Sequence, residues 1–284
     1  MAEILRGAPV AVALCEDLTA HVAALKVNGI VPTLAVLRVG ERPDDVSYEA
    51  SAMRRCAKVG IAVKKFLLPT SCSKSLLLDT IREINDDSSI HGCLMFRPLP
   101  DKDAEMEACA LLAPKKDVDC MTSESLASVF TGKGAGYPPC TAQACIEILD
   151  YYGIQIQGKR ATVIGRSLVI GKPVSMLLQA KNATVTMCHS RTVDLPDECR
   201  KAEILIVAAG KAGIVSSSYL VPGQVVIDVG INVDEAGKLC GDVKFDEAES
   251  VVSAITPVPG GVGAVTTAVL CKHIIDAAKQ QHKP

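Results

Sequence analysis

In VSYEASAMRRC (residues 46–56) Tyr48, one of five tyrosines, heads a helical pattern. The position one turn below it is Ala52, with Arg54 and Arg55 just beyond. A phenol can pack on a ligand or hydrogen-bond to it, whereas proton transfer needs a group whose pKa lies near neutrality. Arginine stays protonated and is a poor base. At ~100° per residue, Arg54 lies about 120° around the helix from Tyr48, and Arg55 returns to that face about 10 Å along the axis. The segment carries binding chemistry and no evident base.

A second candidate is VIGRSLVIGKPVSMLL, laid out as a strand, a glycine turn and a helix opening with Pro173 in its first turn. Gly165 and Gly171 are too far apart for G-x-G-x-x-G, and Ile170 and Pro173 replace what a P-loop needs. The next apolar run ends in CHSRT, so Ser190 and Arg191 stand where a dinucleotide fold places the acid that binds a ribose 2′-hydroxyl. An acid repels a 2′-phosphate, whereas a hydroxyl and the guanidiniums of Arg166 and Arg191 hold it through charge-assisted hydrogen bonds. The pattern favours NADP over NAD. Solvated surface arginines are the plainer alternative.

The elements that must position these residues alternate along the chain. PTLAVLRVG (32–40), IAVKKFLL (61–68) and IHGCLMF (90–96) read as strands, separated by helices over about 46–59 and 74–86, with ERPDD (41–45) as a loop. A further helix covers 104–113, and TGKGAGYPPC (131–140) reads as a linker. After a helix at 141–153, strands at 160–165, 183–188, 203–210 and 224–230 frame a helix at about 172–181, and the chain closes with a helix reaching about Lys279. This order predicts an α/β protein of two doubly wound parallel-sheet domains, the second a Rossmann-like dinucleotide-binding domain. The expected boundaries are 1–140 plus a terminal helix at about 265–284 for the first, and 141–264 for the second.

Composition agrees. Of 284 residues 49% are hydrophobic but only 3% aromatic, with no Trp, so the core must be built from Val, Ile, Leu and Ala, as in buried parallel sheets. A net charge of −2 with interspersed signs argues against a nucleic-acid partner. No run of ~18 uncharged apolar residues predicts a membrane span, and the N-terminus does not read as a signal peptide. Twelve cysteines lie scattered without a C-x-x-C, which predicts reduced thiols and no metal centre.

Several stretches together resemble one family. KKDVD (115–119), PPCT (138–141), VIGRSLVIGKP (163–173), ATVTMCHSRT (183–192), VIDVGIN (226–232), GDV (241–243) and ITPVPGGVG (255–263) occur in its order, alongside PTLAVLRVGERP (32–43) and GCLMFRPLP (92–100). The chain resembles the methylenetetrahydrofolate dehydrogenase/cyclohydrolase family, the FolD type, over nearly its full length. The resemblance implies a cytoplasmic homodimer with a folate cleft between its domains and a terminal helix that returns to the first. It also implies oxidation of 5,10-methylenetetrahydrofolate to the methenyl form by hydride transfer to a nicotinamide, followed in most members by hydrolysis to 10-formyltetrahydrofolate. By motif, Gly165, Arg166, Ser167 and Gly171 would hold the pyrophosphate and ribose region, with Ser190 and Arg191 near the 2′-phosphate and Gly210 and Ile231 toward the nicotinamide. Asp119 would hydrogen-bond the pterin and Tyr48 pack on the folate. Met95, Phe96, Arg97, Pro259, Gly260, Gly261, Val262, Gly263 and Thr266 would complete the substrate site.

Three positions depart from the family pattern. Its lysine in Y-x-x-x-K is Ala52, its glutamine in V-Q-L-P-L-P is Phe96, and its proline after GGVG is Ala264. Hydride transfer needs alignment and no protein base at the carbon. Hydrolysis needs water activation, for which a lysine of lowered pKa is suited. The expectation is a dehydrogenase with weak or absent cyclohydrolase activity, and the alternative is the ordinary bifunctional enzyme. The missing Tyr-Lys spacing also argues against a short-chain dehydrogenase.

Overall fold

The computed structural model describes residues 1–234 and 236–282. In chain order the elements are β1 (Glu3–Ile4), α1 (Gly7–Val27), β2 (Thr33–Val39), α2 (Pro43–Val59), β3 (Ala62–Leu68), α3 (Lys74–Asp86) and β4 (Gly92–Met95). Then come α4 (Lys102–Leu111), α5 (Ser123–Thr131), α6 (Cys140–Tyr151), β5 (Arg160–Ile164), α7 (Gly171–Ala180), β6 (Thr184–Cys188) and α8 (Leu195–Arg200). The remainder is β7 (Ile204–Val207), β8 (Val225–Asp228), β9 (Asn232–Val233), β10 (Leu239–Cys240), α9 (Phe245–Glu249), β11 (Ala254–Ile255) and α10 (Thr266–Gln281).

The chain divides into two compact units. One contains Met1–Val12 and Thr141–Thr266, the other Ala13–Cys140 and the residues from Thr267 on. The first twelve residues therefore depart from the expected 1–140 domain. The reason is pairing: Glu3 and Ile4 lie parallel to Ala254 and Ile255, the Gly7 N–H reaches the Gly260 carbonyl at 2.8 Å, and Tyr152 donates to the Arg6 carbonyl at 2.9 Å.

The three-stranded unit is a parallel sheet in the order β3-β2-β4. Its central strand, TLAVLRV, is buried at every position, and Leu37, Ile81, Ile84, Ile90, Met95 and Ala108 share one core. Burying each large aliphatic side chain contributes about 1.5–3 kcal/mol. β2 also carries the buried Arg38, whose Nε lies 2.8 Å from Glu49 of α2, while Lys65 of β3 approaches the other Glu49 oxygen at 2.7 Å. Burial raises the Glu49 pKa, but Lys65 and Arg38 outweigh it and hold the carboxylate below its ordinary value. This trio, with Arg38 and Glu49 buried and Lys65 at the surface, pins α2, and so Tyr48, to the sheet.

α2 starts at Pro43, so part of the expected ERPDD loop is its first turn. Proline at the opening and Asp44 and Asp45 after it are what a helix N-terminus favours. Gly60, at φ 92°, closes the helix in a left-handed conformation. α10 packs on this unit: Cys271 Sγ lies 3.9 Å from Cys56 Sγ, and Gln281 donates to the His91 carbonyl at 2.8 Å.

The six-stranded unit is a parallel sheet in the order β1-β11-β8-β7-β5-β6, with an antiparallel β9–β10 ribbon beside it. β5 has β6 on one side and β7 on the other, so successive crossovers leave in opposite directions and open a crevice at its carboxyl end. β2 is flanked in the same way by β3 and β4. All twelve cysteines are free thiols. Among the described residues no cluster of His, Cys, Asp or Glu is fit to hold a metal, and no helix is long and apolar enough to cross a membrane.

Candidate active site

In the three-stranded unit, the carboxyl end of β4 and the facing side of α2 bring Tyr48 and Phe96 together. Their rings meet edge to face with centroids 6.0 Å apart, a favoured aromatic geometry. Ala52 is 1% exposed, on the core side of α2. Arg54 is exposed, while Arg55 is drawn away to Thr267 Oγ1 at 3.4 Å and Cys15 Sγ at 3.6 Å. Met95 belongs to the hydrophobic core, which leaves Phe96 and Arg97 as the residues emerging from the strand.

Asp119 is held by its own motif. Lys116, 1% exposed, donates to the carbonyls of Ile84, Asn85 and Asp87 and so caps the end of α3. Buried Asp117 accepts from the N–H groups of Met121 at 2.9 Å and Thr122 at 2.7 Å. Cys120 takes φ 60° between them, uncommon for a residue with a side chain. Asp119 Oδ1 then accepts from the Cys140 N–H at 2.8 Å. His273 of α10 donates from Nδ1 to the Val118 carbonyl at 2.9 Å and stacks on Tyr137 with centroids 5.0 Å apart. Burial, joined by the nearby charge of Asp117, raises the Asp119 pKa, while the Cys140 N–H and Arg97 pull it back. The result is a rigid, half-buried carboxyl suited to hydrogen bonding. Neither Cys140 nor His273 was expected near it, because each is distant in sequence and carries no motif of its own.

In the six-stranded unit a groove of about 320 Å³ opens at the carboxyl end of β5. Gly165, Arg166, Ser167, His189, Ser190 and Lys211 line it, and no carboxylate does among the described residues. Gly165 has φ 122°, and a Cβ there would collide with the Ala208 carbonyl. A Cβ on Gly171 would collide with the Gly165 carbonyl, so the turn must be bare backbone. Ser167 Oγ accepts from the Ile170 N–H at 3.1 Å and thereby shapes the entry to α7. Arg191 is exposed, with its N–H donated to His189 Nδ1 at 3.1 Å, and neither it nor Gly210 is among the lining residues. Lys211 and His189 are, although the sequence reading passed over both. The GKAG run after β7 was the available signal.

A second cavity of about 200 Å³ in the same unit joins Ile231 to the loop Pro259–Gly263. Gly260 has φ 99°, Gly261 and Val262 are buried, and Gly263 faces open space. Thr266 donates to the Gly263 carbonyl at 3.3 Å and ties the loop to the start of α10.

Residues 5–119 match the model of the tetrahydrofolate dehydrogenase/cyclohydrolase catalytic domain, and residues 139–282 match that of its NAD(P)-binding domain. The chain belongs to the tetrahydrofolate dehydrogenase/cyclohydrolase family. It is 52% identical over 281 residues to the Bifunctional protein FolD of Carboxydothermus hydrogenoformans, with 98% of each chain covered. Among solved structures it is similar to the bifunctional FolD of Campylobacter jejuni, with a TM-score of 0.94, 36% identity and 99% of each chain covered. It is also similar to the Trypanosoma brucei dehydrogenase-cyclohydrolase, solved with NADP cofactor and inhibitor. There the TM-score is 0.92 at 33% identity, covering 100% of this chain and 99% of that one. In this chain positions 52 and 96 are Ala52 and Phe96, both buried.

Proposed function

We propose that the protein oxidises 5,10-methylenetetrahydrofolate to 5,10-methenyltetrahydrofolate with NADP as hydride acceptor. The observation that carries the reading is the groove at β5, a glycine turn lined by Arg166, Ser190 and Lys211, with no carboxylate among the described lining residues. That lining suits a dinucleotide bearing a 2′-phosphate, through charge-assisted hydrogen bonds. When bound, the nicotinamide takes up the hydride. The chain's own task is alignment: Asp119 fixes the pterin by hydrogen bonding, Tyr48 and Phe96 offer an aromatic surface for the folate rings, and the Pro259–Gly263 loop admits ligand against its backbone. No protein base is needed at the reacting carbon.

A second reading is favoured by the relatives, whose names describe bifunctional proteins. On it, the same chain also hydrolyses the methenyl product to 10-formyltetrahydrofolate, with Asp119, Arg54 and water. The side chains favour the narrower reading, weak or absent hydrolysis. Ala52 is sealed in the core and Phe96 presents a ring to Tyr48, so neither can hold or move a proton. The deciding assay follows methenyltetrahydrofolate hydrolysis against a buffer blank, with NADP-dependent oxidation measured on the same sample. Oxidation without hydrolysis above the blank establishes the narrower reading, and comparable rates establish the bifunctional one. Absence of oxidation overturns both.

A further inference from the structure

The acidic residues of two motifs, Asp228 of VIDVGIN and Asp242 of GDV, have no assigned role in the reading above, although Asp228 borders the second cavity, and they meet inside the six-stranded unit. Asp242 is 0% exposed. Its Oδ2 accepts from the N–H groups of Ala209 at 2.6 Å and Gly210 at 2.9 Å. Its Oδ1 accepts from the Lys211 N–H and from Asn232 Nδ2, both at 2.9 Å. Three successive backbone donors thus converge on one carboxylate, and they belong to the loop after β7 whose Ala209 and Lys211 line the groove.

Asp228, 4% exposed, accepts in turn from the N–H groups of Gly230 at 2.9 Å, Asp242 at 3.0 Å and Val243 at 2.9 Å. It fixes the backbone from which Asp242 reaches out. Both carboxylates are seated against bare backbone. A Cβ on Gly230 would collide with the Asp242 carboxyl group, and a Cβ on Gly241 with that of Asp228.

The loop needs such an anchor. AAGKAG (208–213) has small side chains that pack weakly, and Gly210 at φ 65° adds conformational freedom. A carboxylate is the one side chain that accepts through both oxygens and donates through neither, so it satisfies converging N–H groups where an amide cannot. With four donors the buried charge is compensated.

We infer that Asp242, seated by Asp228, is a positioning residue for the NADP groove, setting the 209–211 loop so that Lys211 stands among its cations. The inference rests on the cofactor assignment made above. The test is Asp242→Asn in the full chain, because asparagine turns an N–H₂ toward donors that now face an oxygen. NADP affinity is measured by direct titration, the KM values for NADP and for methylenetetrahydrofolate by initial rates, and hydrogen–deuterium exchange on the peptide spanning 208–214.

The expected result is at least about tenfold weaker NADP binding, folate KM within about twofold of the parent, and faster exchange in that peptide. NADP affinity within about twofold of the parent overturns the inference, as does an equal rise of both KM values, which marks a general structural role. Should Asp242→Asn fail to fold, Asn232→Ala removes only one of the four donors, and NADP KM rises about threefold. An unchanged value there overturns the inference. Parent protein that binds no NADP overturns the cofactor assignment and this inference with it, whereas binding parent and an indifferent variant overturn the inference alone.

Discussion

The groove at β5 and the Tyr48–Phe96 corner at β4 lie at equivalent places on two parallel sheets, but they are made of different material. The groove is largely backbone, a glycine turn and a small-residue loop held by carboxylates from behind. The corner is made of side chains projecting from α2 and β4. Backbone geometry is specified by many long-range bonds at once, so it survives most single substitutions. A chemical side chain can be exchanged without disturbing the fold, and Ala52 and Phe96 fit their surroundings as ordinary packed residues.

That contrast is sharpest at Asp119, the side chain that the proposed reading makes central to substrate binding. Asp119→Ala is expected to lower kcat/KM for dehydrogenation by roughly a hundredfold, about 3 kcal/mol, with NADP affinity nearly unchanged. Initial rates and a cofactor titration measure it. A loss below about fivefold would show the corner to be as tolerant as the groove.

The brace behind Asp119 can be tested through pH. Burial, with Lys272 adding to it, pushes the His273 imidazole down to about 4 against the opposing bond to Val118. A histidine with a depressed folded pKa contributes full stability above its unfolded value of about 6.5 and loses it as pH falls toward 4. Between pH 7 and pH 5 this amounts to about 2 kcal/mol for His273. His91, also lowered to about 4 by burial, acts in the same direction. Asp228, raised to about 6 by burial, opposes them, since its contribution grows as pH falls through 6. Comparing the parent with His273→Asn isolates one histidine. Urea unfolding at the two pH values should show the variant losing about 2 kcal/mol less than the parent.

Ala52→Lys with Phe96→Gln attempts to restore the corner. Hydrolysis of methenyltetrahydrofolate should rise at least about tenfold, and dehydrogenation should change by less than about threefold. A lysine at so buried a position also costs stability, visible as a lowered Tm. If hydrolysis does not rise, more than two side chains separate this corner from a hydrolytic one.

The smallest effect is expected where a side chain contributes to the backbone-built groove. Ser190→Ala should reduce the preference for NADP over NAD by about fivefold, the value of one hydrogen bond. Paired kcat/KM measurements with the two cofactors read it directly.

What could be foreseen from sequence follows the same division. Thr33–Val39 and Arg160–Ile164 are mostly apolar, β-branched-rich runs, and the glycine turn after β5 announces its own geometry. β1 and β11, two residues each, carry no periodicity, and their pairing depends on residues far apart in the chain. That is why the sequence alone groups the first twelve residues with the first domain, while their contacts group them with the six-stranded sheet. Asp119 and Tyr48 were visible as motif residues, while the His273 brace and the Cys140 N–H come from distant segments. Lys211 sits in a loop of small residues marked by little more than its GKAG run, and the bonds to Asp242 show that the loop has a defined shape.

The mutual seating of Asp228 against Gly241 and Asp242 against Gly230 has a consequence for how this protein can diverge. A side chain at either glycine meets a carboxylate, and loss of either carboxylate leaves backbone donors without an acceptor. A change at any one of the four positions therefore strains its partner, and a change at one glycine is best tolerated when the facing carboxylate changes with it. On the ribbon between them the exposed Val233 carries no such coupling.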